Sequence, residues 1–287
     1  MRIKIEITSV KVRYLNLKCR YAERINMKIC FSTLGCAERD LDGVLALAKK
    51  YNMDAIELRG LGGEMDNRKI AALSPECREE TLGKLRESRV APVVLGTSCS
   101  FHDQAKYASF IEEGYAAIDV AQSFGFRGIR VFGNNVVGEE DECVRRVGEG
   151  VRTLCEYAKD KGVDVLLETH GDFNTRERLL GVCEACRGYE NFGILWDICH
   201  TRKTYGSDWR KFVDEFGSLI RHVHLKDVAA DKLVLPGEGE LAIADMVNYL
   251  EERGYDGYFS LEWERKWHPE LPPIEDGLDA LMKILAK

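Results

Sequence analysis

Strand-like and helix-like segments alternate along almost the whole chain, and this alternation constrains the fold more than any other feature. The strand-like segments are short apolar runs at residues 28–35, 54–60, 91–98, 128–134, 163–170, 192–197, 220–227 and 257–264. The helix-like segments lie at residues 38–51, 74–88, 105–124, 139–161, 175–187, 208–217, 242–254 and 275–287. Strict alternation predicts parallel strands joined by helical crossovers. Eight such units predict an α/β fold of the (β/α)₈ TIM-barrel type, which takes about 250 residues.

An open, doubly wound sheet is the competing architecture. It is disfavoured because no GxGxxG motif opens the first unit and because the units number eight. We expect residues 27–287 to form the barrel domain and residues 1–26 to be an N-terminal extension outside it.

Composition narrows the class of protein. The chain is 45% hydrophobic and 31% charged, which is typical of a globular protein with a sizeable core. No apolar run approaches the roughly 18 to 20 residues that span a membrane, and the first residues lack a secretory signal. We therefore expect a cytoplasmic protein with no membrane partner. The net charge of −7 disfavours a nucleic-acid partner.

Four consecutive predicted strands end in polar residues that share one face. Side chains alternate along a strand, so the apolar neighbours pack under the helices and the polar ones enter the barrel. The residues at these four strand ends are Glu168, Asp197, His224 and Glu262. Barrels of this type carry their active sites at the carboxyl ends of the strands.

Three carboxylates cannot share a small cavity unless they are protonated or paired with a cation. Together with one imidazole they form a hard ligand set that suits Mn²⁺ best, with Mg²⁺, Co²⁺ or Zn²⁺ as alternatives. We expect one divalent ion. The alternative is a network of buried salt bridges with Lys226, Arg130 and Arg59.

The motifs at these strand ends resemble a known family. The stretches "LLETH", "WDICH", "HVHLKD", "LPGEGEL" and "GYDGYFSLEWE" are similar to those of the sugar phosphate isomerases/epimerases, which are xylose isomerase-like barrels. The resemblance covers about residues 27–287. It implies that the metal ligands are Glu168, Asp197, His224 and Glu262, and that His200 contacts the substrate.

The resemblance also implies a reaction. A metal-dependent sugar or sugar phosphate isomerase or epimerase moves a proton through an ene-diolate, with Glu168 and Glu262 as acid and base. A dehydratase acting on a keto-polyol, such as an inosose or 3-dehydroshikimate, is the alternative. Strands two and three offer no histidine before His102, which argues against the related endonucleases. Ketose 3-epimerases have an arginine where this chain has Ala230, so their substrate set is not implied.

Several further residues are candidates for binding a small sugar-like substrate. They are His200, His170, His222, His102, Arg59 and Lys226. His222 could instead form a hydrogen bond behind the ligands, and Lys226 could be an ion-pair partner or a base. Arg59 could bind an anionic group or form an ion pair. For His170 and His102, a solvent-exposed loop position is the alternative, and a homo-oligomer remains open.

Overall fold

Eight parallel strands form a nearly closed barrel in the computed structural model, which describes residues 27–286. The barrel strands are β1 (Lys28–Phe31), β2 (Ala55–Leu58), β3 (Ala91–Ser100), β4 (Gly128–Asn134), β5 (Asp164–Gly171), β6 (Phe192–Asp197), β7 (Ile220–Leu225) and β10 (Tyr258–Leu261). Their order is β1-β10-β7-β6-β5-β4-β3-β2. A single parallel bridge between Ser32 and Glu57 joins β1 to β2 and nearly closes the ring. The predicted barrel is confirmed, and the predicted extension at 1–26 lies outside the described residues.

Helices follow the strands along the chain. They are α1 (Leu41–Lys50), α2 (Arg78–Ser88), α3 (Tyr107–Phe124), α4 (Glu140–Ala158), α5 (Arg176–Ala185), α6 (Ile198–Tyr205), α7 (Trp209–Phe216), α8 (Ile243–Glu252) and α9 (Ile274–Leu285). Most predicted segments coincide with observed elements to within a few residues. Within residues 27–286, no helix is both long and apolar enough to cross a bilayer.

Two elements near the carboxyl ends of the strands were not predicted. The sequence indicated one helix after the sixth strand, whereas α6 and α7 both follow β6. A short antiparallel hairpin, β8 (Asp227–Ala229) and β9 (Lys232–Val234), follows β7. Its turn residues Ala230 and Asp231 have φ of +48° and +61°, the geometry that usually takes Gly or Asn.

The alternation of side chains sorts the interior of the barrel into layers. Leu166 and Leu195 form a small apolar cluster with Val94 inside the barrel. Glu168 and Asp197 share their faces with these two leucines and lie one layer nearer the carboxyl ends. The intervening residues, such as Leu167 and Trp196, belong to the large core under the helices. The predicted inward orientation of Glu168 and Asp197 is thereby confirmed.

Candidate metal and substrate site

The four polar residues from the strand ends meet in one buried cluster. Glu168 lies near the end of β5, Asp197 ends β6, His224 lies in β7 and Glu262 directly follows β10. All four are at most 5% exposed. One ligand atom from each can be chosen so that the atoms lie within 4.8 Å of one another. The cluster therefore has the size and the donor atoms of a metal site.

His224 Nδ1 lies in the middle of this cluster. It is 3.3 Å from Glu262 Oε2, 3.5 Å from Glu168 Oε1 and 3.9 Å from Asp197 Oδ2. Among the described residues, this buried nitrogen has no hydrogen-bond partner. A buried polar atom without a partner is costly, so an arrangement of this kind fits a ligand that the protein residues do not supply.

The two oxygens of Asp197 have separate roles. Oδ1 accepts hydrogen bonds from the backbone N–H groups of Cys199 (2.8 Å) and His200 (3.0 Å), so Asp197 is the N-cap of α6. Oδ2 faces the cluster, 2.8 Å from Lys226 Nζ. The D-x-x-H spacing thus places a capping carboxylate and the His200 side chain within one helical turn.

The imidazoles of β7 share a carboxylate that the sequence analysis had not assigned to the site. Glu57 Oε2 accepts hydrogen bonds from His222 Nε2 at 2.9 Å and from His224 Nε2 at 3.0 Å. Glu57 is fully buried at β2. Glu57 has the same strand parity as Arg59, which is a signal for a side chain inside the barrel. Its contact with the imidazoles spans more than 160 residues of sequence, so a local pattern does not reveal it.

Cations surround the carboxylates of the cluster. Lys226 Nζ lies 2.5 Å from Glu262 Oε2 and 2.5 Å from Glu264 Oε1, and Arg130 Nε lies 3.3 Å from Glu168 Oε2. Burial alone would raise the pKa of Glu168, but the Arg130 guanidinium and His224 together outweigh it and hold this pKa at about 2. Burial raises the pKa of Asp197, and Lys226 only partly offsets this. Lys226 therefore occupies the ion-pair position that the sequence analysis considered for it.

The fixed charges around the cluster do not balance. The acidic members are Glu57, Glu168, Asp197, Glu262 and Glu264, and the basic members are Arg59, Arg130 and Lys226. With neutral histidines, two negative charges remain, which is the charge that one divalent cation neutralises. Burial lowers the pKa of His224, yet Glu262 and Glu57 outweigh burial and raise that pKa well above its usual range. Both observations indicate that this position favours positive charge, so the residues fit the predicted ion.

A cavity of about 520 Å³ opens beside the cluster at the carboxyl ends of the strands. His170, His200 and Lys226 lie among its lining residues, and the rings of His170 and His200 are 4.1 Å apart. Burial lowers the pKa of His200 to about 4, and the Lys226 ammonium adds to this effect. His200 is therefore neutral near pH 7 and can donate or accept a hydrogen bond.

Three other predicted substrate contacts lie outside this cavity. His222 is buried against Glu57, which is the hydrogen-bonding position considered for it as an alternative. His102 lies after β3, with Nδ1 3.2 Å from Ser100 Oγ. The Arg59 guanidinium donates to Met65 O at 3.0 Å and Ser98 Oγ at 3.1 Å. Burial and the neighbouring Arg130 lower the pKa of Arg59 to about 10. None of the three lines the 520 Å³ cavity.

A second cavity, of about 600 Å³, lies at the opposite end of the barrel. Its lining includes Arg127, which directly precedes β4, and Asp164 and Arg221, which lie at the amino ends of β5 and β7. Of the cluster and its partners, only His222 reaches it. The larger volume does not make it the candidate active site, because the four predicted ligands lie at the other end of the strands.

Comparison with known proteins agrees with the barrel fold. A family model described as the xylose isomerase-like TIM barrel matches residues 45–284. The chain belongs to this family. The resemblance inferred from the motifs of the sequence is thus confirmed at the level of the family.

Relatives of this xylose isomerase-like barrel act on sugar-like compounds. It is 26% identical over 287 aligned residues to an inosose isomerase of Halalkalibacterium halodurans, covering 91% of this chain and 97% of that protein. It is 28% identical over 127 residues to fructoselysine 3-epimerase of Escherichia coli O157:H7. That match covers 41% of this chain and only 44% of the epimerase.

The solved structure of the IOLI protein with a bound zinc atom has the same fold. It superposes with a TM-score of 0.74 at 19% sequence identity, covering 91% of this chain and 98% of that one. The likeness confirms the barrel architecture.

Proposed function

We propose that this protein is a metal-dependent isomerase or epimerase of a sugar or sugar phosphate, and that Glu168 and Glu262 transfer the proton. One observation carries the proposal. Two buried carboxylates from β5 and from the end of β10 flank His224 Nδ1 at 3.5 and 3.3 Å, and Lys226, which pairs with Glu262, lines a cavity of about 520 Å³. The relatives that act on inososes and on fructoselysine support a substrate of this class.

Glu168, Asp197, His224 Nδ1 and Glu262 would hold the ion in this proposal. A divalent cation, for which we favour Mn²⁺ over Mg²⁺, Co²⁺ or Zn²⁺, supplies Lewis-acid polarisation of a substrate carbonyl. The zinc atom bound by the IOLI protein, which has the same fold, supports a divalent cation but does not decide which cation this chain binds.

The charge state of Glu168 suits the removal of a proton. Glu168 is ionised near pH 7, because Arg130 and His224 hold its pKa at about 2 against the effect of burial. It is therefore ready to accept a proton from a substrate carbon. Glu262 is ionised as well, because His224 and Lys226 outweigh burial and hold its pKa well below the usual range. It would therefore return to the other face a proton passed on from the Lys226 ammonium, whose Nζ lies 2.5 Å from Glu262 Oε2. The neutral His200 at the cavity would hold a substrate oxygen by a hydrogen bond.

The experiment compares Glu168→Gln and Glu262→Gln with the wild type. A panel of ketoses, inososes and their phosphates is incubated with Mn²⁺ in D₂O, and NMR detects deuterium at the carbon beside the carbonyl. Each variant should lower turnover by about 10²-fold or more, the usual contribution of a general base. The double variant should cost much less than the product of the two single losses, because both residues serve one cycle.

Glu149→Gln on α4 is the matched control, because the Glu149 side chain is 44% exposed and pairs with the exposed Arg145. It should leave the rate unchanged. Near-wild-type rates in both site variants, with metal content retained, would show that neither glutamate is the base. Formation of an enone with loss of water would instead identify the dehydratase alternative.

A further inference from the structure

Glu57 is a buried carboxylate behind the candidate metal site that forms hydrogen bonds with two histidines. Its carboxylate is fully buried and accepts from two imidazoles at once, at 2.9 Å from His222 Nε2 and 3.0 Å from His224 Nε2. Its other oxygen lies 3.1 Å from His224 Nε2, so this imidazole is shared between both carboxylate oxygens. The three residues come from β2 and β7, which lie on different sides of the barrel.

The position of Glu57 determines which nitrogen of His224 carries a proton. The two oxygens of Glu57 lie 2.9 to 3.1 Å from the Nε2 atoms of His222 and His224. A carboxylate in this position accepts hydrogen bonds, so the Nε2 atoms of both histidines are the donors. In a neutral His224 the lone pair then lies on Nδ1.

Nδ1 of His224 is also the nitrogen that faces the other three ligands. Carboxylate oxygens lie 3.3 to 3.9 Å from it, and within the described part of the chain it makes no hydrogen bond. A lone pair directed at three carboxylates is unfavourable unless a cation lies between them.

We propose that Glu57 is a positioning residue for the metal site. Glu57 fixes His224 as the Nε2–H tautomer, so that Nδ1 is the nitrogen that binds the metal. His222 holds Glu57 in place. The proposal rests on the metal site of the proposed function. It assigns a role to two residues that do not contact the ion. Metal-bound histidines commonly donate their second N–H to a carboxylate, and removal of such a partner costs about 10- to 100-fold in metal affinity.

The Glu57→Gln substitution tests this role because it changes the hydrogen-bond pattern and keeps the size. A glutamine amide replaces one of the two carboxylate oxygens by an NH₂ donor. Both oxygens of Glu57 lie 3.0 to 3.1 Å from His224 Nε2, so in either orientation of the amide this NH₂ faces the N–H of His224. His224 must then turn its ring or change tautomer. We expect Glu57→Gln to weaken Zn²⁺ binding by about 10- to 100-fold, measured by competition with a chromophoric chelator.

The second measurement is direct and uses the wild-type protein. Long-range ¹⁵N–¹H NMR of the Zn²⁺-loaded protein, labelled at histidine, reports the state of each imidazole nitrogen. We expect His224 Nδ1 to show the shift of a metal-bound nitrogen and Nε2 that of an N–H donor. In Glu57→Gln this pattern should be lost or become a mixture.

Glu113→Gln is the matched control. Glu113 accepts a hydrogen bond from the backbone N–H of Ser98 at 2.6 Å and contacts none of the proposed ligands. It should leave Zn²⁺ affinity within about twofold of wild type. Glu57→Asp, which keeps the charge but is shorter by one methylene, should bind Zn²⁺ more tightly than Glu57→Gln.

Three results would overturn the proposal. They are wild-type affinity in Glu57→Gln, a metal bound to His224 Nε2, and no stoichiometric Zn²⁺ binding by the wild type. If Glu57→Gln does not fold, the spectrum of the wild type still decides which nitrogen binds. Turnover is not measured, so a protein that binds Zn²⁺ through Nδ1 but transforms no sugar would contradict only the proposed function.

Discussion

Asp197 joins two functions in one side chain. Its Oδ1 caps α6 through two backbone N–H groups, and its Oδ2 faces His224 and Lys226 in the cluster. An aspartate that ends a buried apolar strand would otherwise be costly. The helix cap and the neighbouring cations offset that cost, and the cap fixes the direction of the second oxygen.

Asp197→Asn should separate these two functions. Asparagine is as good an N-cap as aspartate, so the helix cap is retained. The contribution of the cap to the free energy of unfolding of the metal-free protein should therefore change little. The amide nitrogen that replaces Oδ2 cannot bind a cation and would face the Lys226 ammonium. We expect the Mn²⁺ content of dialysed protein, measured by elemental analysis, to fall by an order of magnitude or more.

Asp197→Ala provides the comparison, because it removes the cap as well. It should lose the metal and also about 1 kcal/mol of stability, seen as a lower urea midpoint of the metal-free form. Full Mn²⁺ content in Asp197→Asn would show that this residue is a cap and an ion-pair partner but not a ligand.

At the scale of elements, the segment after β7 forms one wall of the cavity. Val228, Asp231 and Lys232, from the β8–β9 hairpin and its turn, line the cavity. The carboxylate of Asp227 holds the segment together, because it accepts from four backbone N–H groups. The donors are Val228, Gly237, Gly239 and Leu241. A Cβ at Gly239 would lie 2.2 Å from Asp227 Oδ1, so only glycine permits this approach.

Asp227→Asn should loosen this wall without removing a predicted metal ligand. In the asparagine, one of the two acceptor oxygens becomes an NH₂ donor that faces backbone N–H groups, so hydrogen bonds to it are lost. A hydrogen bond to a charged group contributes about 1.5–3 kcal/mol to stability. Hydrogen exchange of the Gly237 and Gly239 amides should therefore become about tenfold faster or more. Substrate KM should rise, while Mn²⁺ content should stay near that of the wild type.

Asp245→Asn, in the exposed first turn of α8, is the control for this change. Unchanged exchange at Gly237 and Gly239 in Asp227→Asn would show that the hairpin does not depend on this carboxylate.

Sequence reasoning predicted the repeating elements better than the connections between them. The period-two pattern of β5 and β6 placed Glu168 and Asp197 on the face of Leu166 and Leu195, as the structure has them. The pattern could not predict α6, whose eight residues contain a buried face of only Ile198 and Thr201. The hairpin was missed because its turn has Ala230 and Asp231 at positive φ instead of glycine.

The partners of the cluster were the part of the site that sequence could not supply. Arg130 and Lys226 were recognised as nearby cations, but the pairing of Arg130 with Glu168 depends on the register between β4 and β5. The contact of Glu57 with His224 depends on the closure of the whole barrel. Such distances follow from the curvature of the sheet, which no single segment encodes.

At the scale of the whole molecule, the barrel has one chemically distinct end. The carboxyl ends of its strands carry the cluster, the hairpin and the 520 Å³ cavity. Inside the barrel, the buried acidic side chains outnumber the basic ones near His224. A divalent cation would neutralise this excess, and by mass action it would stabilise the fold by about 2.7 kcal/mol at a concentration of 100 Kd.

The position of the ion is the central claim, and anomalous diffraction from crystals grown with Mn²⁺ tests it most directly. We predict one strong anomalous peak per chain at bonding distance from Glu168, Asp197, His224 Nδ1 and Glu262. Glu57 should remain hydrogen-bonded to His224 Nε2. Absence of a peak at saturating Mn²⁺, with Lys226 still paired with Asp197 and Glu262, would contradict the account and support a salt-bridge network. A peak among Glu57, His222 and His224 Nε2 would contradict it equally.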